Sequence, residues 1–165
     1  MNKLANKKNK AMKPKHVLLI ILMCCASIAS AQNKIIDKFA DMDGVTSVFI
    51  SKSMLQMMPN MKTEGIDIGG VAGKLESILI LTSEKAAISK MMKNEIPSFA
   101  SNKSYEELMR VKDEGSRVTF YIKRKNNSKI GELVMFVDEH PEFVFIQIKG
   151  DLTLQDIQNI TKGKK

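Results

Sequence analysis

Sulfur is the least ordinary chemical resource of this sequence. The run Met54-Leu55-Gln56-Met57-Met58-Pro59-Asn60-Met61 places four methionines in one short stretch. Thioether sulfur is soft enough to hold Cu(I), and Met-x-x-Met spacing puts two sulfurs on one helical face. Met54, Met57, Met58 and Met61 are therefore the candidate ligands of an exported copper protein. Methionine also fills irregular cores, and Met54, Leu55 and Met58 make the stripe an amphipathic helix needs. A flexible apolar groove for a partner is the third reading of the same residues.

The remaining reactive groups are poorly arranged for catalysis. His140 stands beside Asp138, Glu139 and Pro141, and the other histidine, His16, is far away near the start of the chain. A histidine metal site needs at least two such ligands, and a general base is badly placed on an exposed turn tip. No G-x-S-x-G or S-x-x-K motif occurs, which weakens the main serine-hydrolase readings. Glu106 and Glu107 are neighbours on a strand and point to opposite faces, while Asp113-Glu114 and Asp138-Glu139 fall at turns. Asp41-x-Asp43-Gly44 opens like a calcium loop, but glycine comes too early and Val45 stands where an oxygen ligand is needed.

Gly69-Gly70-Val71-Ala72-Gly73-Lys74 resembles a phosphate loop only in part. Ile68 stands where the first glycine belongs, and Leu75 where Ser or Thr would hold magnesium. Lys123-Arg124-Lys125 with Lys129 is the one dense basic cluster after residue 31. Nucleic-acid binding asks for a broad basic face with stacking aromatics, and only Tyr121 is near. These residues read as a charged hairpin tip.

The charge balance points to compartment more than to substrate. The 165 residues carry 26 Lys and Arg against 18 Asp and Glu, a net of +8. Six of those bases, Lys3, Lys7, Lys8, Lys10, Lys13 and Lys15, precede the apolar run Val17 to Cys25, which ends in Ala29-Ser30-Ala31. A basic start, a short apolar stretch and an A-x-A site make up a secretory signal peptide. Residues 1–31 are thus expected to be removed, with Ala29 and Ala31 at the cleavage site and Gln32 as the first mature residue. Translation from Met12 in place of Met1 would still leave a compact signal. The apolar stretch is shorter than the roughly 20 residues of a membrane span, so no retained span is expected. Both cysteines, Cys24 and Cys25, lie inside it, and neither follows Gly, Ala or Ser as a lipidated cysteine should. Lipid anchoring is accordingly not expected, and the mature chain has no thiol for disulfides or catalysis. Residues 32–165 retain 20 bases against 18 acids, a net of +2, which favours no polyanion.

Hydrophobic periodicity sets out the rest as one α+β domain. Ile35, Ile36, Phe39 and Ala40 predict a first helix over about 33–41, and Val45 to Ile50 a strand. Ser51 or Ser53 caps a second helix that Pro59 stops; a glycine-rich turn then leads into a strand over Leu75 to Leu81. Ile88, Met91, Met92, Ile96 and Phe99 predict a third helix, kinked or restarted at Pro97.

The period then changes to two through Tyr105, Met109 and Val111, and through Val118, Phe120 and Ile122. Ile130 to Val137 and Phe143 to Ile148 are apolar on both faces, as in central strands. Thr153 as N-cap, Asp156 at N3, and Leu152 with Ile157 as a hydrophobic staple predict a last helix from Leu154, docked through Leu154, Ile157 and Ile160. The expected architecture is a single mixed sheet, built by two right-handed crossovers and an antiparallel four-strand meander, with helices packed on one face.

Four segments carry a family resemblance. They are Val45 to Leu55, Lys74 to Ile78, Tyr105 to Met109 and Asp151 to Ile157. In their order, the chain resembles a family of small exported Bacteroidetes proteins described as domain of unknown function 4252. The resemblance implies export and a compact α+β domain, and it supplies no catalytic residue. The expected function is a non-enzymatic binding, sensory or structural protein of the cell envelope, periplasmic or extracellular, with no cofactor and an unidentified protein or envelope partner. The alternatives are Cu(I) binding through the methionines, and a hydrolase using Ser or Asp/Glu.

Overall fold

A computed structural model describes residues 27–57, 62–63, 66–67, 70–100 and 103–161. The chain divides between Lys34 and Ile35, and the fold described below is that of the second unit, Ile35–Lys165. Helix α1 spans Ser27–Ala40, strand β1 Thr46–Ser51 and helix α2 Lys52–Met57. The two-residue strands β2, Lys62–Thr63, and β3, Ile66–Asp67, pair with each other as a separate ladder. A 3₁₀ turn at Ala72–Lys74 leads into β4, Leu75–Ser83, which is followed by α3, Ala86–Glu95. Pro97 lies in a 3₁₀ segment, Ile96–Phe99, so the third helix ends and restarts there. Strands β5, Tyr105–Asp113, β6, Ser116–Arg124, β7, Ile130–Glu139, and β8, Glu142–Leu152, precede α4, Leu154–Thr161.

Six strands form the main sheet in the order β1-β4-β8-β7-β6-β5, and every adjacent pair is antiparallel. The α+β class holds, but the expected mixed sheet is corrected to an antiparallel one, and the run of four hairpin-linked strands is one part of a wider sheet. Strand β4 starts beside the end of β1, with Ser51 opposite Ser77, and runs the other way. Helix α2 packs against β1, β4 and the 3₁₀ turn that enters β4, so the connection stays at the end of the sheet where β1 finishes and does not cross to its start. The next connection, through α3, carries the chain to the far edge of the sheet, where β5 pairs only with β6.

The helices cover both faces, which corrects the expectation of one. Leu81, Val134, Phe136, Phe143 and Phe145 point to one face, where α1 contributes Ile36 and Phe39 and α3 contributes Met92. Phe136 stacks on Phe145 with ring centres 5.8 Å apart, and Tyr121 meets it edge-on at 5.8 Å. Ile78, Phe120, Ile122, Leu133, Ile146 and Ile148 point to the other face, closed by Leu55 of α2 and by Ile157 and Ile160 of α4. Central strands that are apolar on both sides demand two covering layers, since each large buried side chain is worth roughly 1.5–3 kcal/mol.

Two local devices hold the β4 and β8 side of the sheet together. Gly150 faces the register shift of β4, where an added Cβ would stand 2.5 Å from the Lys74 carbonyl oxygen and 3.2 Å from Leu75 Cα. Only glycine fits so close a backbone approach. At α4 the Thr153 hydroxyl accepts the Asp156 N–H at 3.2 Å, and Asp156 Oδ2 accepts the Thr153 N–H at 2.8 Å. This reciprocal box is the one the sequence predicts, with Leu152 and Ile157 both buried as its staple.

Asp156 also accepts a 2.7 Å bond from Lys74, tying α4 to the segment that enters β4. Burial alone would raise the Asp156 carboxyl pKa. The hydrogen bonds from Lys74 and Thr153 and the lysine charge outweigh burial and hold it at about 2. Leu154 departs from expectation and is 45% exposed. At 100° per residue it lies well off the stripe made by Asp156, Ile157 and Ile160.

Candidate functional site

The two outer strands of the sheet are where its backbone hydrogen bonding is incomplete, and they differ sharply. Strand β1 reads Thr46-Ser47-Val48-Phe49-Ile50-Ser51 and contains no charge, no proline and no register shift against β4. Its first four residues are exposed, and Phe49 is 66% exposed on the face it shares with Leu79. Val48, on the opposite face with Ile80, is exposed as well. Among the described residues β1 pairs with β4 alone, and its outer side offers a row of N–H and C=O groups flanked by apolar side chains, the template on which another extended chain pairs.

Helix α2 continues this surface. Ser51 accepts the Met54 N–H at 3.4 Å, so the strand turns directly into the helix under the cap that the sequence predicts. Leu55 is pulled fully into the core, and helical geometry then turns Met54 and Met57 away from it. Both are exposed, Met57 at 71%. Of the four candidate copper ligands, the structure thus places Met54 and Met57 one helical turn apart on an open face. Met58 and Met61 lie outside the described residues. Ala29, Ala31 and Gln32 fall on the backbone of α1.

The polar candidates are dispersed and paired. His140 is exposed at the β7–β8 turn, beside a hollow of about 420 Å³ lined by Lys90, Lys93, Asp138 and Glu142. Within it Lys93 binds Asp138 at 2.5 Å, and Glu142 accepts a 2.8 Å bond from Thr82. Glu106 binds Arg124 at 3.0 Å, and Glu107 pairs with Arg110. In the basic cluster, Lys123 lies 5.5 Å over the Tyr105 ring, and Lys125 and Lys129 reach Asp151 at 3.9 and 3.3 Å. Among the described residues, no three His, Cys, Asp or Glu side chains gather as a metal site. No described helix is long and apolar enough to cross a membrane.

One buried carboxylate gave no sign in the sequence. Glu132 is 7% exposed on β7, opposite Lys123 and Lys149, and accepts a 2.6 Å bond from Gln147. Burial pushes the Tyr105 phenol above its usual range, and the adjacent Glu132 carboxylate, which accepts its hydrogen bond, adds to the shift. With both Gln147 and Tyr105 donating to it, Glu132 is satisfied as a structural group. Its place inside an apolar run hid it, since burial of one acid among β-branched residues has no periodic signature.

The openness of β1 was equally hidden, although a signal exists. The charges that interrupt residues 105–113 are absent from 46–51. Comparison with curated proteins and with solved structures finds no match. A family match does run from Phe39 in α1 to Ile160 in α4, and so takes in β1, α2 and the whole sheet. Over residues 39–160 the chain belongs to the family described as domain of unknown function (DUF4252).

Proposed function

We propose that the protein is an exported, non-enzymatic binding domain of the cell envelope that takes up a protein partner by strand addition along β1. The observation that carries this reading is the unguarded edge itself: an uncharged, regular strand with Phe49 and Val48 exposed on its two faces. Main-chain bonds supply affinity in such an encounter, and alternate side chains supply specificity. The basic, apolar and small-residue order of residues 1–31 supports export.

Capture from the native envelope tests the reading, with the parent protein, Phe49→Lys and Val111→Lys as baits. Parent and Val111→Lys recover the same partner, and Phe49→Lys loses it. Equal recovery by all three removes β1 from the account. A saturable catalytic activity abolished by Glu132→Gln or His140→Ala would overturn the non-enzymatic part.

The exposure of Met54 and Met57 on one face of α2 also favours Cu(I) capture, with Met58 and Met61 completing the sulfur set. Titration under reducing conditions decides it. A variant carrying Met57→Leu and Met61→Leu that binds as well as the parent ends that reading.

A further inference from the structure

The chain that best fits the β1 edge is a second β1. We infer that two copies of this protein pair β1 with β1, antiparallel about a two-fold axis through Phe49, so that the two sheets become one. This rests on β1 being the recognition edge.

The residue pattern of the strand is self-complementary about that axis. Phe49 faces Phe49 of the second copy, Val48 faces its Ile50, and Ser47 faces its Ser51. Apolar side chains meet apolar ones on both faces, and the serine hydroxyls meet on the face of Phe49. An axis perpendicular to the sheet also joins like faces, so the layer of α1 and α3 continues as one layer and that of α2 and α4 as the other.

The ends of the strand carry opposite charge. Asp41 and Asp43 are exposed just before β1, and Glu84 follows the neighbouring end of β4, with Lys85 as the base among them. Lys52 is exposed just after β1, where Glu76 of β4 is engaged by Lys125. Antiparallel pairing brings each acidic end against the Lys52 end of the other copy, whereas parallel pairing sets like against like. Nothing within the strand repels, because Thr46 to Ser51 bear no charge.

A six-residue strand with Phe49, Val48 and the α2 methionines buries an area at the small end of specific interfaces. The expected pair is therefore reversible, with dissociation in the micromolar range.

Sedimentation velocity on the purified protein, over about 1 to 100 µM, tests it. The apparent mass of the parent doubles with rising concentration. Phe49→Lys sets two ammonium groups across the axis and stays at the mass of one copy, while Val111→Lys, on the opposite edge, behaves as the parent. Should Phe49→Lys lose its folded circular dichroism spectrum, Val48→Glu on the other face of the strand takes its place. A parent that keeps the mass of one copy throughout, or a β1 variant that associates as the parent does, overturns self-pairing. If the parent does not associate, yet Phe49→Lys loses an envelope partner that Val111→Lys retains, self-pairing fails and strand recognition stands. If Phe49→Lys neither dissociates the pair nor loses a partner, both fall.

Discussion

Strands β1 and β5 occupy equivalent places at the two ends of one antiparallel sheet and solve the same physical problem in opposite ways. Strand β5 carries Glu106, Glu107, Arg110, Lys112 and Asp113, and its register slips between Glu107 and Met109. Charge and a bulge are the usual protection of an open edge, since an approaching strand meets side chains it must desolvate and a backbone it cannot follow. Strand β1 has neither. Apolar exposure alone does not separate the two, because Met109 and Val111 of β5 are exposed as well. Guarding is a property of charge and register along an edge, and of the two outer strands of the six-stranded sheet β5 has it and β1 does not.

Four variants put this contrast to the test. The largest effect is expected of Gly150→Ala, which forces a methyl group against the Lys74 carbonyl where β4 meets β8. A loss of about 3 kcal/mol in urea unfolding is expected. Strand-resolved exchange places the damage in β4 and β1, the half of the sheet that carries the open edge, with β5 and β6 little changed.

Asp156→Asn comes next, at about 1 to 2 kcal/mol, allowing for solvent screening of the half-exposed Lys74. The folded-state pKa lies below the ordinary 3.8. The stabilisation is thus fully present above that value and is lost as pH falls through about 2. Unfolding midpoints of parent and variant accordingly converge between pH 4 and pH 2. The substitution weakens the anchor of the segment entering β4 and leaves both edges chemically as they were.

Stripping the guard from β5 has a smaller effect on stability. Glu107→Val with Arg110→Val removes an exposed ion pair that solvent screens, so the unfolding midpoint shifts less than in either variant above. Light scattering should nevertheless show association through the second edge that the parent lacks. Phe49→Lys has the least effect of all on folding, within about 0.5 kcal/mol, because the ring it replaces is already in solvent. Its consequence lies wholly in recognition. A loss of several kcal/mol would mean that Phe49 supports the core, and Val48→Glu would then carry the test of the edge.

Much of this architecture was legible because single residues settle local structure. Thr153 and Asp156 set the start of α4, Pro97 divided the third helix, and the doubly apolar runs of β7 and β8 marked the middle of the sheet. What escaped depends on reach and direction. The packing of α2 against the ends of β1 and β4 goes with the antiparallel return of β4, and Val45 to Ile50 read equally well as an inner or an outer strand. The first helix extends back to Ser27, beyond the expected 33, and Ser27 to Gln32 contain no glycine or proline to break it. Leu154 was misplaced because its type fits the core while its angle around α4 does not.

The site was legible only in part. Met54 and Met57 stood out by composition, but their exposure follows from Leu55 turning inward. Phe49 looked like an ordinary strand aromatic until β1 was placed at the edge. Glu132 gave no sign at all.

Amide hydrogen exchange of the purified protein, compared strand by strand at high and low concentration, reads the pairing of β1 itself. Slower exchange is expected at high concentration in the outward-facing amides of Thr46 to Ser51, with Tyr105 to Asp113 unchanged. Protection that grows in β5, or a β1 that exchanges alike at both concentrations and in the presence of an envelope extract, contradicts it.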